Sequence, residues 1–219
     1  MIYKVIRTLT SSGIKDITIV LGGESVGDFI RLLKDGSEFG ATFNYVYQQE
    51  AGGIAEALSL TENIVKGKKV AVILGDNIFE ESFESEFKAF QDTQENNCCL
   101  FLKEVPDPER FGVAELNDDL TIRQIEEKPK LPKTHYAVTG LYLYDESLFD
   151  VIKDVIKEIG YSSRGELEIT DVNNFFIRLG KTKSVIIRGF WSDAGTFDTL
   201  LKSSNYIQSF EKNKEKLKN

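Results

Sequence analysis

The chain has 219 residues, 41% of them apolar, and a formal charge of −8, so it can bury a full core and is a poor match for a polyanionic partner such as nucleic acid. Its two cysteines, Cys98 and Cys99, are adjacent, which excludes a disulfide framework or a zinc site and suits a reducing, cytoplasmic compartment. No apolar run reaches the roughly 18 residues of a membrane span, and a lone histidine, His135, excludes Ser-His-Asp or multi-histidine chemistry, which leaves carboxylates, Lys and Arg.

Ile2, Val5, Ile6 and Leu9 recur at helical spacing and stop at Gly13, so the chain opens on a helix. Residues 16–21 read as a strand. Gly22-Gly23 turns into a second helix through Phe29, Ile30, Leu32 and Leu33, ended by Gly36; residues 43–47 form the next strand and 54–65 the next helix. The apolar stretch 70–74 is a strand that ends at Asp76. This alternation predicts a parallel sheet with right-handed crossovers. A helix over 84–94 and a strand over 98–104 continue it. Three short β runs follow, 112–116, 122–126 and 138–144, and predict a β-rich insertion.

Residues 145–157 and 169–179 read as helices, and 184–188 as a β-branched run. Phe197, Leu200, Leu201, Ser204, Ile207 and Phe210 mark one face of a final helix, whose Lys212, Lys214, Lys216 and Lys218 interleave with Glu211 and Glu215 as a solvated end. Without repeats or linkers the chain reads as one domain, 1–219. The expected fold is α/β, Rossmann-like and doubly wound, with a mostly parallel sheet and the β-rich insertion.

Leu74-Gly75-Asp76-Asn77 sets a carboxylate at a strand end, where open α/β sheets bind ligands. Trp191-Ser192-Asp193-Ala194-Gly195 repeats the arrangement. Two such aspartates can share one Mg²⁺, although an aspartate after a strand also caps turns and helices. Gln48-Gln49-Glu50-Ala51-Gly52-Gly53 opens a helix with a glycine pair, which lets backbone approach a planar ligand while a glutamine meets a base edge; a simple turn has the same look. In Glu126-Glu127-Lys128-Pro129 the lysine can neutralise a phosphate, and any edge strand can carry such charges for solubility. Arg164-Gly165-Glu166-Leu167-Glu168-Ile169-Thr170-Asp171 is a charged helix entry. Gly22-Gly23-Glu24-Ser25-Val26-Gly27 has the wrong glycine spacing for a dinucleotide fingerprint.

In this order, and joined by Asp107-Pro108-Glu109-Arg110-Phe111-Gly112-Val113 and Tyr136-Ala137-Val138-Thr139-Gly140-Leu141-Tyr142, these strings resemble the sugar-1-phosphate nucleotidyltransferases, especially those that act on glucose-1-phosphate and dTTP. The resemblance implies nucleotidyl transfer from dTTP or UTP to the sugar phosphate, with pyrophosphate released. It implies that Gln48 and Gly53 read the base, that Asp76 and Asp193 hold Mg²⁺, and that Gly112, Glu127 and Val138 line the sugar pocket with Lys128 on its phosphate. Asp76, Lys128 and Asp193 would then be the catalytic set. Self-association is a further expectation from the family.

Members of that family begin with a strand and a Gly-rich, Arg-bearing loop around the triphosphate, and Met1-Ile2-Tyr3 matches residues just after it. By this analogy the chain is N-terminally truncated by about 25–30 residues and lacks the first central strand, leaving a gap between 16–21 and 70–74. The alternative expectation is therefore a non-catalytic sugar-nucleotide-binding or regulatory subunit without the triphosphate loop.

Overall fold

The computed structural model describes residues 1–94 and 97–216, without the side chains of 211 and 213–216. The predicted roles of Glu211, Lys214, Glu215, Lys216 and Lys218 thus lie outside what is described. Helix α1 (Ile2–Ser11) buries Val5, Ile6 and Leu9 of its apolar period together with Thr8, and leaves Ile2 half-buried. Strand β1 (Asp16–Gly22) follows, then α2 (Val26–Leu33) and β2 (Thr42–Gln48), which lies parallel to β1 from Asp16↔Thr42 to Gly22↔Gln48. The helix expected over 54–65 is two pieces, α3 (Ile54–Ser59) and α4 (Glu62–Val65), broken where the Thr61 hydroxyl turns back onto the Leu58 carbonyl. Strand β3 (Val70–Ile73) leads directly to β4 (Asn77–Phe79), a three-residue strand too short for periodicity to reveal.

Helix α5 (Glu84–Asp92) precedes β5 (Cys98–Glu104), and β6 (Gly112–Leu116), β7 (Ile122–Glu127) and β8 (Tyr136–Tyr144) follow without intervening helices. Helices α6 (Leu148–Glu158) and α7 (Ile169–Arg178), strands β9 (Thr182–Ile186) and β10 (Trp191–Asp193), and α8 (Phe197–Lys216) complete the chain.

The described strands form three sheets, the pair β1–β2, the pair β4–β10 and a six-stranded mixed sheet ordered β7-β6-β8-β5-β9 with β3 also on β8, which corrects the mostly parallel expectation. Among the described residues only β1·β2 and β5·β9 are parallel, while β3·β8, β5·β8, β6·β7, β6·β8 and β4·β10 are antiparallel. The reason lies in β8. Read from sequence as part of an insertion, it instead enters the main sheet between β3 and β5, with Tyr144 opposite both Val70 and Cys98. It returns from the β6–β7 excursion with no crossover helix, and a strand reached that way runs antiparallel.

Strand β5 is buried on both faces. Cys98, Leu100 and Leu102 join the α6 and α7 side, with Tyr142, Tyr144 and Phe176; Cys99 and Phe101 join the α1 and α5 side, with Phe79, Phe83 and Phe87. Burial pushes the Cys99 thiol up to about 12 and raises Cys98 well above its ordinary value, so both behave as core side chains, not nucleophiles. Among the described residues no helix is long and apolar enough to cross a membrane.

Helix α8 docks through only part of its predicted apolar face, with Ile207 and Phe210 half-buried. Tyr206 stacks on Phe190 at 3.9 Å and Phe210 follows it, with Ser203 buried beneath, whereas Phe197 and Leu201 stay exposed. Aromatic stacking through Tyr206, one residue off the predicted stripe, decides which face turns inward.

Candidate active site

Among the described residues, strands β1 and β3 each pair on one side only, with β2 and with β8, and both line one cleft of about 1620 Å³. Lys68 Nζ lies 3.4 Å from Asp16 Oδ2, which brings the starts of the two strands together at one end of that cleft. Its other end is polar and carries Gln48, Gly53, Glu127, Lys128, Arg164, Glu166 and Glu168. The expected base-reading pair and the expected sugar-phosphate pair therefore share one cavity. Asp76, Asp193, Gly112 and Val138 lie off its lining, although Gly75 beside Asp76 is part of it.

The two aspartates converge. Strand β10 pairs antiparallel with β4 so that Asp193 stands opposite Asn77, and the Ala194 amide donates to the Asp76 carbonyl at 2.7 Å. A Cβ built on Gly195 would lie 3.6 Å from Asp193 Oδ2 and 3.7 Å from Asp76 Oδ2, so both oxygens border the same small space. Burial raises the Asp193 carboxyl above its ordinary range, the Arg110 guanidinium opposes this, and the Asp76 charge adds to the rise. A like-charged carboxylate pair of this kind fits a hard divalent cation, and Mg²⁺ needs only one or two carboxylates beside phosphate and water. Among the described residues no group of three or more His, Cys, Asp or Glu could hold a metal, so any ion here must draw its remaining ligands from elsewhere.

Two residues with no role assigned from sequence complete this corner. Arg110 Nη2 reaches Asp193 Oδ2 at 2.7 Å and Nη1 reaches Asp107 Oδ2 at 2.9 Å. Asn77, only 3% exposed, accepts at Oδ1 from the Gly140 amide and from Trp191 Nε1, both at 2.8 Å, and donates through Nδ2 to Asp76 Oδ1 at 2.8 Å. Because both Oδ1 partners are donors only, the amide orientation is fixed and its N–H must face Asp76. Gly140 is required by space: a Cβ there would sit 2.7 Å from the Asn77 amide. The only sequence signal for either residue was its membership in a string that carries the resemblance.

On the opposite side Gly112 pairs with Glu127 across β6 and β7, and a Cβ at Gly112 would press on Glu127 Oε2 and Thr170 Oγ1 at 3.3 and 3.4 Å. Thr170 Oγ1 donates to Glu127 Oε2 at 2.6 Å, another contact that the sequence did not announce. Lys128 stands in the left-handed region at φ 45°, with its ammonium 3.7 Å from Glu127 Oε1. Arg164 grips Glu168 at 2.8 and 2.9 Å and lies 3.9 Å from Glu127. Val138 packs against the core on β8. Asp171 is raised, first by burial and then by Glu168 and Glu127. The buried Tyr142 hydroxyl is also raised, chiefly by burial and then by the charges of Glu127 and Asp76.

A family model described as Nucleotidyl transferase matches residues 1–209. The chain is 38% identical over 214 residues to a glucose-1-phosphate thymidylyltransferase of Neisseria meningitidis, covering 96% of this chain and 73% of that protein. A crystal structure titled as a putative glucose-1-phosphate thymidylyltransferase from Bacillus anthracis superposes with a TM-score of 0.86 at 44% identity, covering 94% of this chain and 81% of the other. A UDP-glucose pyrophosphorylase complexed with UDP-glucose shares the fold at a TM-score of 0.78 and 19% identity, over 94% and 85% of the two chains. The chain belongs to the nucleotidyl transferase family, and within it is a glucose-1-phosphate thymidylyltransferase-like nucleotidyltransferase of sugar-nucleotide synthesis.

Proposed function

We propose that the protein transfers a thymidylyl group, or the uridylyl equivalent, from the nucleoside triphosphate to glucose-1-phosphate in the cytoplasm. A phosphate oxygen of the sugar phosphate bonds to the α-phosphorus, the bond from that phosphorus to the bridging oxygen of the β-phosphate breaks, and pyrophosphate leaves. Gln48 and Gly53 hold the base. Glu127, braced by Thr170, and Gly112 accept the sugar, with Val138 behind them, and Lys128 neutralises its phosphate. Asp76 and Asp193 would hold Mg²⁺, which when bound supplies positive charge to the phosphates. Arg110 fixes Asp193 and adds a second positive charge beside it.

The observation that carries this reading is the run of contacts joining the two sets: a Cβ on Gly53 would lie 3.1 Å from the Glu166 Cβ, and Arg164 lies 3.3 Å from Glu166 and 3.9 Å from Glu127. The test is incubation with dTTP, Mg²⁺ and glucose-1-phosphate. Equal release of pyrophosphate and sugar nucleotide is expected; nucleotide binding with no product would sink the catalytic reading.

A second reading, a module that binds a sugar nucleotide without turnover, draws on the pairing of the site's cations. Lys128, Arg164 and Arg110 each lie within ion-pair distance of a carboxylate, which weakens their hold on a triphosphate. Under that reading the sugar nucleotide binds tightly and the triphosphate does not.

A further inference from the structure

We propose that Glu56 is a positioning residue: it turns the Gln48 amide so that its oxygen meets the base, which selects nucleotides with a ring N–H, the imide pyrimidines, over cytidine. This rests on the reading above in which Gln48 faces the base. Gln48 closes β2, and its Nε2 donates to Glu56 Oε1 at 3.2 Å and to the Gly53 carbonyl at 3.3 Å. Both partners are acceptors only. A flipped amide would set its oxygen against a carboxylate and a carbonyl, so the orientation is not free. Among the described residues Gln48 Oε1 accepts no hydrogen bond, and it is the polar atom that Gln48 has left for a ligand in the cleft it lines. An acceptor presented there pairs with the N3–H of thymine or uracil and opposes the N3 lone pair of cytosine.

Glu56 is itself held from two directions. Tyr161, beyond the end of α6, donates its hydroxyl to Glu56 Oε2 at 3.2 Å. The carboxylate also folds over Gly52 so closely that a Cβ there would lie 2.0 Å from Oε2 and 2.2 Å from Cδ. The Gly52 backbone is not in the left-handed region, so alanine suits its conformation and only the space beneath Glu56 is lost. Gly52→Ala thus displaces Glu56 without deleting it, and the far end of a flexible side chain can move at little cost to the fold.

The experiment is calorimetric binding of dTTP and dCTP with Mg²⁺ to wild type, Glu56→Ala, Gly52→Ala, the double variant and Glu56→Gln. Wild type is expected to favour dTTP by at least about tenfold, and each single alanine variant to cut that ratio at least about fivefold. The double variant should lose no more than the stronger single, because both act through one contact. Glu56→Gln, whose amide oxygen can still accept from Gln48, should hold the ratio within about twofold. Alongside, the Gln48 side-chain amide protons, followed by NMR in the ligand-free protein, should lose their hydrogen-bonded shift in Gly52→Ala. Wild-type ratios in both alanine variants overturn the positioning role and leave the nucleotide site standing. A wild type that binds neither nucleotide overturns the site and this inference together.

Discussion

Arg110 Nη2 lies 2.7 Å from Asp193 Oδ2, and the same guanidinium holds Asp107, so one cation ties the turn before β6 to the strand that carries a candidate metal ligand. Burial raises Asp193 and Arg110 is the largest influence against that rise. In Arg110→Gln the Asp193 carboxyl should therefore titrate higher still. The sign is that of an acid raised by folding: its stabilising contribution is complete below the unfolded value near 3.8 and is lost as pH rises through the folded value, and the variant extends this window upward. Mg²⁺ competes with the same proton, so its affinity should fall with pH through that value, and do so at higher pH in Arg110→Gln. Carbon-detected NMR titration of Asp193 checks this, and an unmoved titration would remove Arg110 from the aspartate's field.

Asp76→Asn and Asp193→Asn keep the shape of each side chain and remove its charge. Activity should drop on the order of a thousandfold in either, because several kcal/mol of charge stabilisation are withdrawn. Unfolding stability should change by less than about 1 kcal/mol for Asp76→Asn, whose Oδ1 can still accept from Asn77. Activity with an unchanged Mg²⁺ optimum in either variant would mean that the ion is held elsewhere.

Asn77 concentrates more stability than its polar character suggests. Asn77→Ala strands the buried Gly140 amide and Trp191 Nε1 without an acceptor, and should cost about 2–5 kcal/mol in urea denaturation. Asn77→Asp keeps both of those bonds but turns a carboxylate oxygen toward Asp76 in place of the N–H. It should be milder in stability and as damaging to Mg²⁺ binding as loss of Asp76. Gly140→Ala, which drives a methyl into the Asn77 amide, should cost about 1–3 kcal/mol. A fully stable Asn77→Ala would show that water replaces the amide.

What the sequence made legible follows from where its signals are local. The periods of α1 and α2, the alternation around β1 to β3 and the buried run of β5 all appear at their expected positions, because each is written in neighbouring residues. The direction of β8 was not legible, since a strand's apolar pattern is the same whichever way it enters a sheet, and only the connection decides. Strands β4 and β10, of three residues each, hold no full period, yet their pairing is what brings Asp76 beside Asp193. The candidate residues Gln48 and Lys128 could be singled out because strand ends and unusual charge mark them. Asn77, Thr170 and Glu56 could not, because each acts through a partner 43 or more residues away in sequence, or in the case of Glu56 through a side chain folded back over a glycine.

Lys128 lets backbone strain and the proposed phosphate role be tested separately. It is a non-glycine residue at φ 45°, wedged between the charged end of β7 and Pro129, and its amide donates to the Phe111 carbonyl at 3.0 Å. A side chain in the left-handed region costs roughly 1–2 kcal/mol relative to glycine, partly offset by the greater unfolded freedom that glycine brings. Lys128→Gly and Lys128→Ala both remove the ammonium and should lose activity alike, with KM for the sugar phosphate raised on the order of tenfold or more. The glycine variant should nevertheless be the more stable of the two by about 1 kcal/mol, because only it relieves the backbone. Equal melting of the two variants would mean that the loop relaxes once the lysine is gone. Unchanged KM in both would mean that the sugar phosphate binds away from residue 128, leaving the strained turn a feature of the fold alone.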